Sequence, residues 1–404
     1  MSIDITHIYI YQAYTKACTT MDINGPMEDF SLTEHKQLIA KMSGKPIILR
    51  AAPKKEDMEI KKTPSVEKKK ENVVVCRLPP FRRIARLIKA LLDMNNKYQV
   101  GIPEGVRLCQ APMLWESGLR GEGVLVAVVD SGISYHDDLV GKVVESRSFV
   151  RDIFNHSHGT HVAGTIAANG NIVGVAPDAK LVDVKVLNSL GAGSEASTAM
   201  GLSWISELNA SGRNIQVVNL SLGSTQSSPL IREEINKLTE SGVLVVCASG
   251  NNGDGLEYTD ELNYPAADSE CTSVGACDRE GQVAMFSSSN NELDVVALGV
   301  EVISCVPGFQ SYETWNGTSM AAPHVSGVAA LVFEHLNKYK MTPQERLKHV
   351  TRILYKVFAK DVDRPGVDSN TGYGMVVCRP IEEWRLGDDL DLIRNIGGKR
   401  PEPL

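Results

Sequence analysis

From about residue 100 onward, two patterns alternate along the chain. Short apolar, mostly β-branched runs, VLVAVV (124–129), KLVDVKV (180–186), IQVVNL (215–220) and VLVVCA (243–248), alternate with segments of helical character near 159–169, 195–210, 229–241, 318–339 and 342–359. The runs lack the polar alternation of a half-solvated strand, so they fit strands covered on both faces. Their alternation with helices predicts βαβ units and therefore an α/β fold, a mostly parallel twisted sheet with helices on both faces, preceded by an N-terminal extension. No internal repeat is visible. In open sheets of this kind, chemistry collects beyond the carboxyl ends of the strands. Asp130 directly follows VLVAVV, Ser221 follows VVNL, and Gly250 and Asn251 follow VVCAS.

Upstream the pattern changes. Residues 54–70, KKEDMEIKKTPSVEKKK, mix lysines with acids and a proline, and read as a solvated linker in preference to a binding patch. VVVCRLPPF (73–81) follows, with adjacent prolines, and then an amphipathic helix is expected over RRIARLIKALLDM (82–94).

Charge and composition narrow the function. The 404 residues carry a net charge of −7, which gives no case for nucleic acid or an anionic membrane as partner. No apolar run approaches the ~18 residues of a spanning helix. The first residues, MSIDITHIYIYQAYTKACTT, carry Asp4 and polar breaks where a secretory signal needs basic residues and then an unbroken apolar stretch. Eight scattered cysteines form no C-x-x-C, and Cys247 reads as a buried thiol. A reducing, cytoplasmic setting is the expectation.

The stretch NHSHGTHVAG (155–164) holds His156, His158 and His161. A metal site would want a nearby Glu, as in H-E-x-x-H, and the neighbours are Gly, Thr, Val and Ala. His158 instead stands before Gly159 at the start of a small-residue helix, where an imidazole has room for substrate. In NGTSMAAPH (316–324), Ser319 falls in the first turn of a helix, where amides point outward and the dipole is positive. A serine hydroxyl is a weak nucleophile until a base takes its proton, and the base needs a carboxylate to fix its tautomer. Asp130, His158 and Ser319 supply the three roles, in the chain order Asp, His, Ser, one of several orders in which such triads occur. Taken singly, Asp130 also reads as a strand-end cap and Ser319 as a helix cap.

The stretches VAVVDSGI, HGTHVAGTIAA, NLSLGS, VVCASGNNGDG and NGTSMAAPHVSGVAALV resemble the subtilisin-like serine peptidases over roughly residues 101–378. IPEGVRLCQAPMLWESGLRGEGV, NYPAADSE and ELDVVALGV are similar to the intracellular subtilisins in particular. The resemblance implies a serine endopeptidase in which Asp130 orients, His158 is general base and acid, Ser319 attacks, and His156 and His161 are bystanders. It also implies Asn251 and the Ser319 amide as oxyanion donors. Substrate would bind as an extended strand between 191–193 (Gly191, Gly193) and Ser221, Leu222 and Gly223. Asn252 and Asn263 match the rim and base of the primary specificity pocket, and neither is charged, which favours a neutral side chain there. Glu195 stands where the family often has an aromatic residue in a more distant pocket.

By the same resemblance no cofactor is needed for the chemistry, and structural calcium is an expectation with two candidate places. Asp138 matches one ligand of a tight site, yet NGNIV (169–173) looks shorter than the loop that completes it. Glu292 and Asp294 match a weaker site, or are plain surface carboxylates, so the metal ligands stay unknown. The domains then read as an N-terminal region (1–70), a propeptide-like leader (71–100), the peptidase domain (101–378) and a C-terminal tail (379–404). Leu78, Pro80 and Phe81 fit a Leu-x-Pro-aromatic core seen in leaders of intracellular subtilisins; the departure is the insert 82–98 before IPEG. A proline-marked turn is the alternative. Polypeptides are the expected partners, with a homodimer left open. A non-hydrolytic peptide-holding protein and a peptide ligase on the same scaffold are the competing classes.

Overall fold

A strand with apolar residues on both faces needs cover on both sides, and the chain supplies it by alternation. The computed structural model describes residues 101–256 and 259–384. The linker at 54–70, the leader with Leu78, Pro80 and Phe81, the helix expected at 82–94 and residues 385–404 of the tail lie outside the described residues.

In chain order the elements are α1 (Glu104–Leu108), α2 (Ala111–Glu116), β1 (Leu125–Asp130), β2 (Val143–Ser148), α3 (Ser157–Ala167), β3 (Lys180–Lys185), α4 (Glu195–Ala210) and β4 (Ile215–Leu220). They continue with α5 (Pro229–Glu240), β5 (Leu244–Ala248), β6 (Thr272–Cys277), β7 (Val295–Leu298), β8 (Val302–Cys305), β9 (Tyr312–Trp315), α6 (Thr318–Leu336), α7 (Pro343–Arg352), β10 (Ala359–Lys360) and β11 (Met375–Val376). The sheet runs β10-β11-β7-β6-β5-β4-β1-β3-β2. Its pairs are parallel except for β10 with β11 at one edge. β8 and β9 form a separate antiparallel pair.

The pleat sorts side chains between two cores. Val126 and Val128 of β1 enter one, Ala127 and Val129 the other. β5 repeats this, with Leu244, Val246 and Ala248 on one side and Val245 and Cys247 on the other. This two-residue period explains why the runs carry no polar alternation. The first core is filled largely by α6, buried along nearly its whole length. The second is closed by residues of α4 and α5.

Two features depart from the pattern reading. Strands β2, β6 and β7 were not among the predicted runs; β6 is TSVGAC, whose serine and glycine dilute the apolar signal although every residue is buried. The helix expected over 342–359 ends at Arg352 and continues as one wider π turn, Ile353–Val357. There the Phe358 amide reaches back to the Ile353 carbonyl at 2.9 Å. The wider turn brings Ile353, Leu354 and Phe358 into the core together before the chain enters β10.

Candidate active site

Each chemistry-bearing residue sits at the end of a strand or the start of a helix. Asp130 is the last residue of β1 and fully buried. His158 is the second residue of α3, which begins because His156 caps it: the His156 Nδ1 accepts the His158 amide at 3.2 Å. His156 therefore fixes the backbone that carries His158. The His158 Nδ1–H donates to both Asp130 oxygens at 2.9 Å each. A carboxylate only accepts, so the proton stands on Nδ1 and Nε2 is left as the free acceptor. Burial opposes charging of His158, but the charge of Asp130 and its hydrogen bond outweigh that, and the pKa is raised above the usual imidazole value. Gly159 makes the approach feasible, since a Cβ there would lie 2.6 Å from the Gly132 carbonyl and 3.2 Å from an Asp130 oxygen.

His161 is a different histidine. It is buried, stacks on Trp315 (centroids 4.6 Å, interplanar 3°), and its Nε2 meets the Glu313 carbonyl at 3.2 Å. Burial pushes its pKa down to about 4, so it is neutral near neutral pH. Trp315, which the sequence did not single out, also lies over His158 at 6.2 Å.

Ser319 is the second residue of α6, whose N-cap is Gly317 at φ 152°, a conformation that favours glycine. Its amide belongs to the first turn, which has no intrahelical acceptor for its N–H groups. Pro323, four residues on, has no N–H to give the Ser319 carbonyl. That carbonyl accepts instead from the Ser221 hydroxyl at 2.9 Å. The Ser221 hydroxyl in turn accepts from Asn219 Nδ2 (2.9 Å), and Asn219 Oδ1 accepts from Ser326 (2.8 Å). This buried chain of satisfied groups locks the helix start to the end of β4; Pro323 and Asn219 carry no such meaning in the sequence until their partners are known. The Ser319 hydroxyl donates to the Ser221 carbonyl at 3.3 Å, a long bond from which it can rotate.

Asn251, after β5, accepts from both the amide (2.9 Å) and the hydroxyl (3.0 Å) of Thr318 through Oδ1. An amide N–H can only donate, so the atom it meets is the oxygen, and the Asn251 NH₂ is left to donate elsewhere. A Cβ added at Gly317 would stand 3.6 Å from that Nδ2.

One groove of about 520 Å³ brings together His158, Gly191, Gly193, Ser221, Leu222 and Gly223, with Glu195 also on its wall. The Glu195 carboxylate accepts from the Ser228 hydroxyl at 3.1 Å. Asn263 stands behind the wall, buried, and its Oδ1 accepts from Asn252 Nδ2 at 3.1 Å. Each amide thus already has a neutral partner.

The residues around Asp138 do not fit a bound cation. Its carboxylate already accepts the Asn171 and Ile172 amides and the Tyr312 hydroxyl, each at 2.9 Å. The short 169–173 loop thus points amide hydrogens at the oxygens a cation would need. Among the described residues, the one group of His, Cys, Asp or Glu spaced for a metal is His136, Asp138 and Cys305. The His136 nitrogens there are engaged by the Asp138 amide and the Ser311 carbonyl. Asp294 accepts the Ser273 amide at 2.9 Å, and Glu292 is exposed.

A parallel sheet covered on both faces, with an imidazole held by a carboxylate and a serine at a helix start, defines a hydrolase of the serine type. A sequence model of the subtilase family matches residues 121–374, more than half of the chain, and the chain belongs to that family. It is a subtilisin-like serine endopeptidase. It is 43% identical over 248 residues to the intracellular serine protease of Paenibacillus polymyxa, covering 58% of this chain and 74% of that protein. Over 255 residues it is 40% identical to the major intracellular serine protease of Bacillus subtilis (strain 168), covering 60% and 76%. With subtilisin Savinase of Lederbergia lenta it shares 46% over 240 residues, 57% and 84% of the two chains. Among the described residues no helix is long and apolar enough to cross a membrane.

Proposed function

We propose that the chain cleaves polypeptides through Asp130, His158 and Ser319, with Asn251 and the Ser319 amide holding the oxyanion. The observation that carries this is the His158 Nδ1–H shared between both Asp130 oxygens, which leaves Nε2 able to take a proton. A peptide enters as an extended strand between 191–193 and 221–223. The Ser319 hydroxyl swings from the Ser221 carbonyl toward Nε2, gives up its proton and attacks the scissile carbonyl. Negative charge develops on the carbonyl oxygen, for which the Asn251 Nδ2 and the Ser319 N–H are the donors this reading assigns. His158 then gives its proton to the leaving amine, and water repeats the sequence on the acyl-enzyme. Product masses from a defined peptide test this: hydrolysis adds water across the cut bond, joined fragments would instead mark a ligase, and bound but uncut peptide a holding protein.

Glu195 gives the groove a negative wall upstream of the cut, so a basic residue there is preferred by up to about five-fold, the range of a partly solvated ion pair. Profiling a peptide library with wild type and Glu195→Tyr checks this; identical upstream preferences make Glu195 a solvated charge only. We further propose that the leader carrying Leu78, Pro80 and Phe81 inhibits the enzyme, since its adjacent prolines lack the amide hydrogens that a cleavable strand presents. If nine-tenths of the molecules are inhibited in this way, deleting residues 1–98 raises activity on a small substrate about ten-fold, while Pro80→Ala permits cutting near Leu78. A folded, trimmed protein no faster than full length rules this out. Relatives named intracellular, together with unpaired buried thiols among the described residues, support a cytoplasmic setting.

A further inference from the structure

Lys185, the last residue of β3, is buried, yet among the described residues none of its hydrogen bonds goes to a carboxylate. In β3 the pleat puts Val182 and Val184 into the second core and Leu181 into the first. Asp183 and Lys185 continue the Leu181 side, where an apolar residue would be expected. The Lys185 Nζ donates to three backbone carbonyls: Ser131 at 2.8 Å, Phe154 at 2.9 Å and Leu187 at 2.8 Å. Three acceptors around one nitrogen require three N–H groups, so the amine is protonated and every proton is used.

The three carbonyls belong to three different parts of the site. Ser131 directly follows Asp130. Phe154 lies in the loop that leads to His158. Leu187 opens the 188–193 stretch, whose glycines line the substrate groove. Lys185 is also the register partner of Asp130 across the β1–β3 pair. A second link runs the same way: Asp152 accepts the Ser189 amide at 2.8 Å and the Phe154 amide at 2.9 Å.

We infer that Lys185 is a positioning residue that sets the carboxylate, the histidine loop and the substrate-binding edge in one mutual geometry, and that its charge tunes the basicity of His158. This rests on the proposed roles of Asp130, His158 and Ser319. The titratable groups facing Lys185 are Asp152 from the loop before α3, Asp130 from β1 and Asp183 from β3, whose carboxyl burial pushes up to about 6, so the limb is compared between variants on either side of that value. His158 itself faces Asp130 and the His156 ring (centroids 6.5 Å), with neutral His161 one turn on in α3. Removing the ammonium removes a positive charge that opposes protonation of His158, so its pKa rises and the acidic limb of the rate profile moves to higher pH.

The test uses the full chain, comparing kcat/KM on a hexapeptide amide with that on a single-residue ester across pH. Lys185→Met, of similar length and without donors, lowers kcat/KM on the hexapeptide about 100-fold through misplacement of reacting groups. It costs the ester less, because the ester does not use the 191–193 edge. Its acidic limb moves up by a few tenths to about one pH unit. Lys185→Arg keeps the charge and loses the tetrahedral fit, so its limb stays in place while the hexapeptide advantage shrinks. A folded Lys185→Met with both rates within about two-fold of wild type, or with equal losses and an unmoved limb, overturns the inference. Should Lys185→Met not fold, Lys185→Arg decides: an undiminished hexapeptide advantage overturns it equally. Ser319→Ala runs alongside. If that variant is dead while Lys185→Met behaves as wild type, only the positioning role falls; if it is active, the reading beneath falls.

Discussion

Ser319→Ala yields a folded protein whose kcat is lower by roughly 10⁶-fold, a magnitude carried over from subtilisin itself. The fold survives because the groups that anchor Ser319 belong to its backbone. Its carbonyl still accepts from the Ser221 hydroxyl, and that hydroxyl is still held by Asn219. Only the long hydroxyl bond to the Ser221 carbonyl is lost. Turnover of a chromogenic peptide, read beside the thermal midpoint and labelling by phenylmethylsulfonyl fluoride, checks this. The label goes to Ser319 in wild type and nowhere in the variant. Activity within ten-fold of wild type would sink the catalytic assignment. His158→Ala follows Ser319→Ala in kcat. His161→Ala costs stability instead, because it opens a hole against Trp315 and removes no proton-transfer group. Equal loss of kcat in both histidine variants, each folded, would reopen a metal role for the pair.

Asn251→Asp lowers kcat by about 10²–10³, again a magnitude carried over from subtilisin itself, with KM little changed. The substitution is chosen for what it keeps. An aspartate oxygen still accepts the Thr318 amide and hydroxyl, so the start of α6 is not released. What disappears is the Nδ2 donor, and its replacement is an oxygen that repels the developing oxyanion. Steady-state kinetics with a peptide amide separates the two possibilities. A fall in kcat with steady KM places the interaction in the transition state, whereas an unchanged kcat leaves Asn251 only its turn and its bonds to Thr318.

Local chemistry made much of this protein legible. The β-branched runs at 124–129, 180–186, 215–220 and 243–248 became β1, β3, β4 and β5 because their uninterrupted apolar character needs cover on both faces. Helices α3 to α6 lie within a few residues of where periodicity put them. Asp130, Ser221 and Asn251 could be singled out because a parallel sheet presents the same end of each strand to one side. β6 and β7 went unread: one is diluted by serine and glycine, the other is only four residues long.

Other features depend on partners far apart in sequence, and no local pattern contains them. That Asp130 holds His158 through both oxygens, that His156 caps the helix carrying it, and that His161 is instead a neutral stacking residue all follow from where α3 lands on β1 and β9. The Pro323, Ser319, Ser221, Asn219 and Ser326 chain exists because α6 packs against the end of β4. The use of Asp138 was likewise settled by packing, with the 169–173 loop and Tyr312 supplying hydrogens to its carboxylate. The sequence by itself determined the central strands, most of the helices, their layering and the residue types available for acyl transfer, because burial period and helix-start chemistry are local. Only the tertiary structure decided which polar groups meet, because a buried donor must find its acceptor wherever the packed chain puts one.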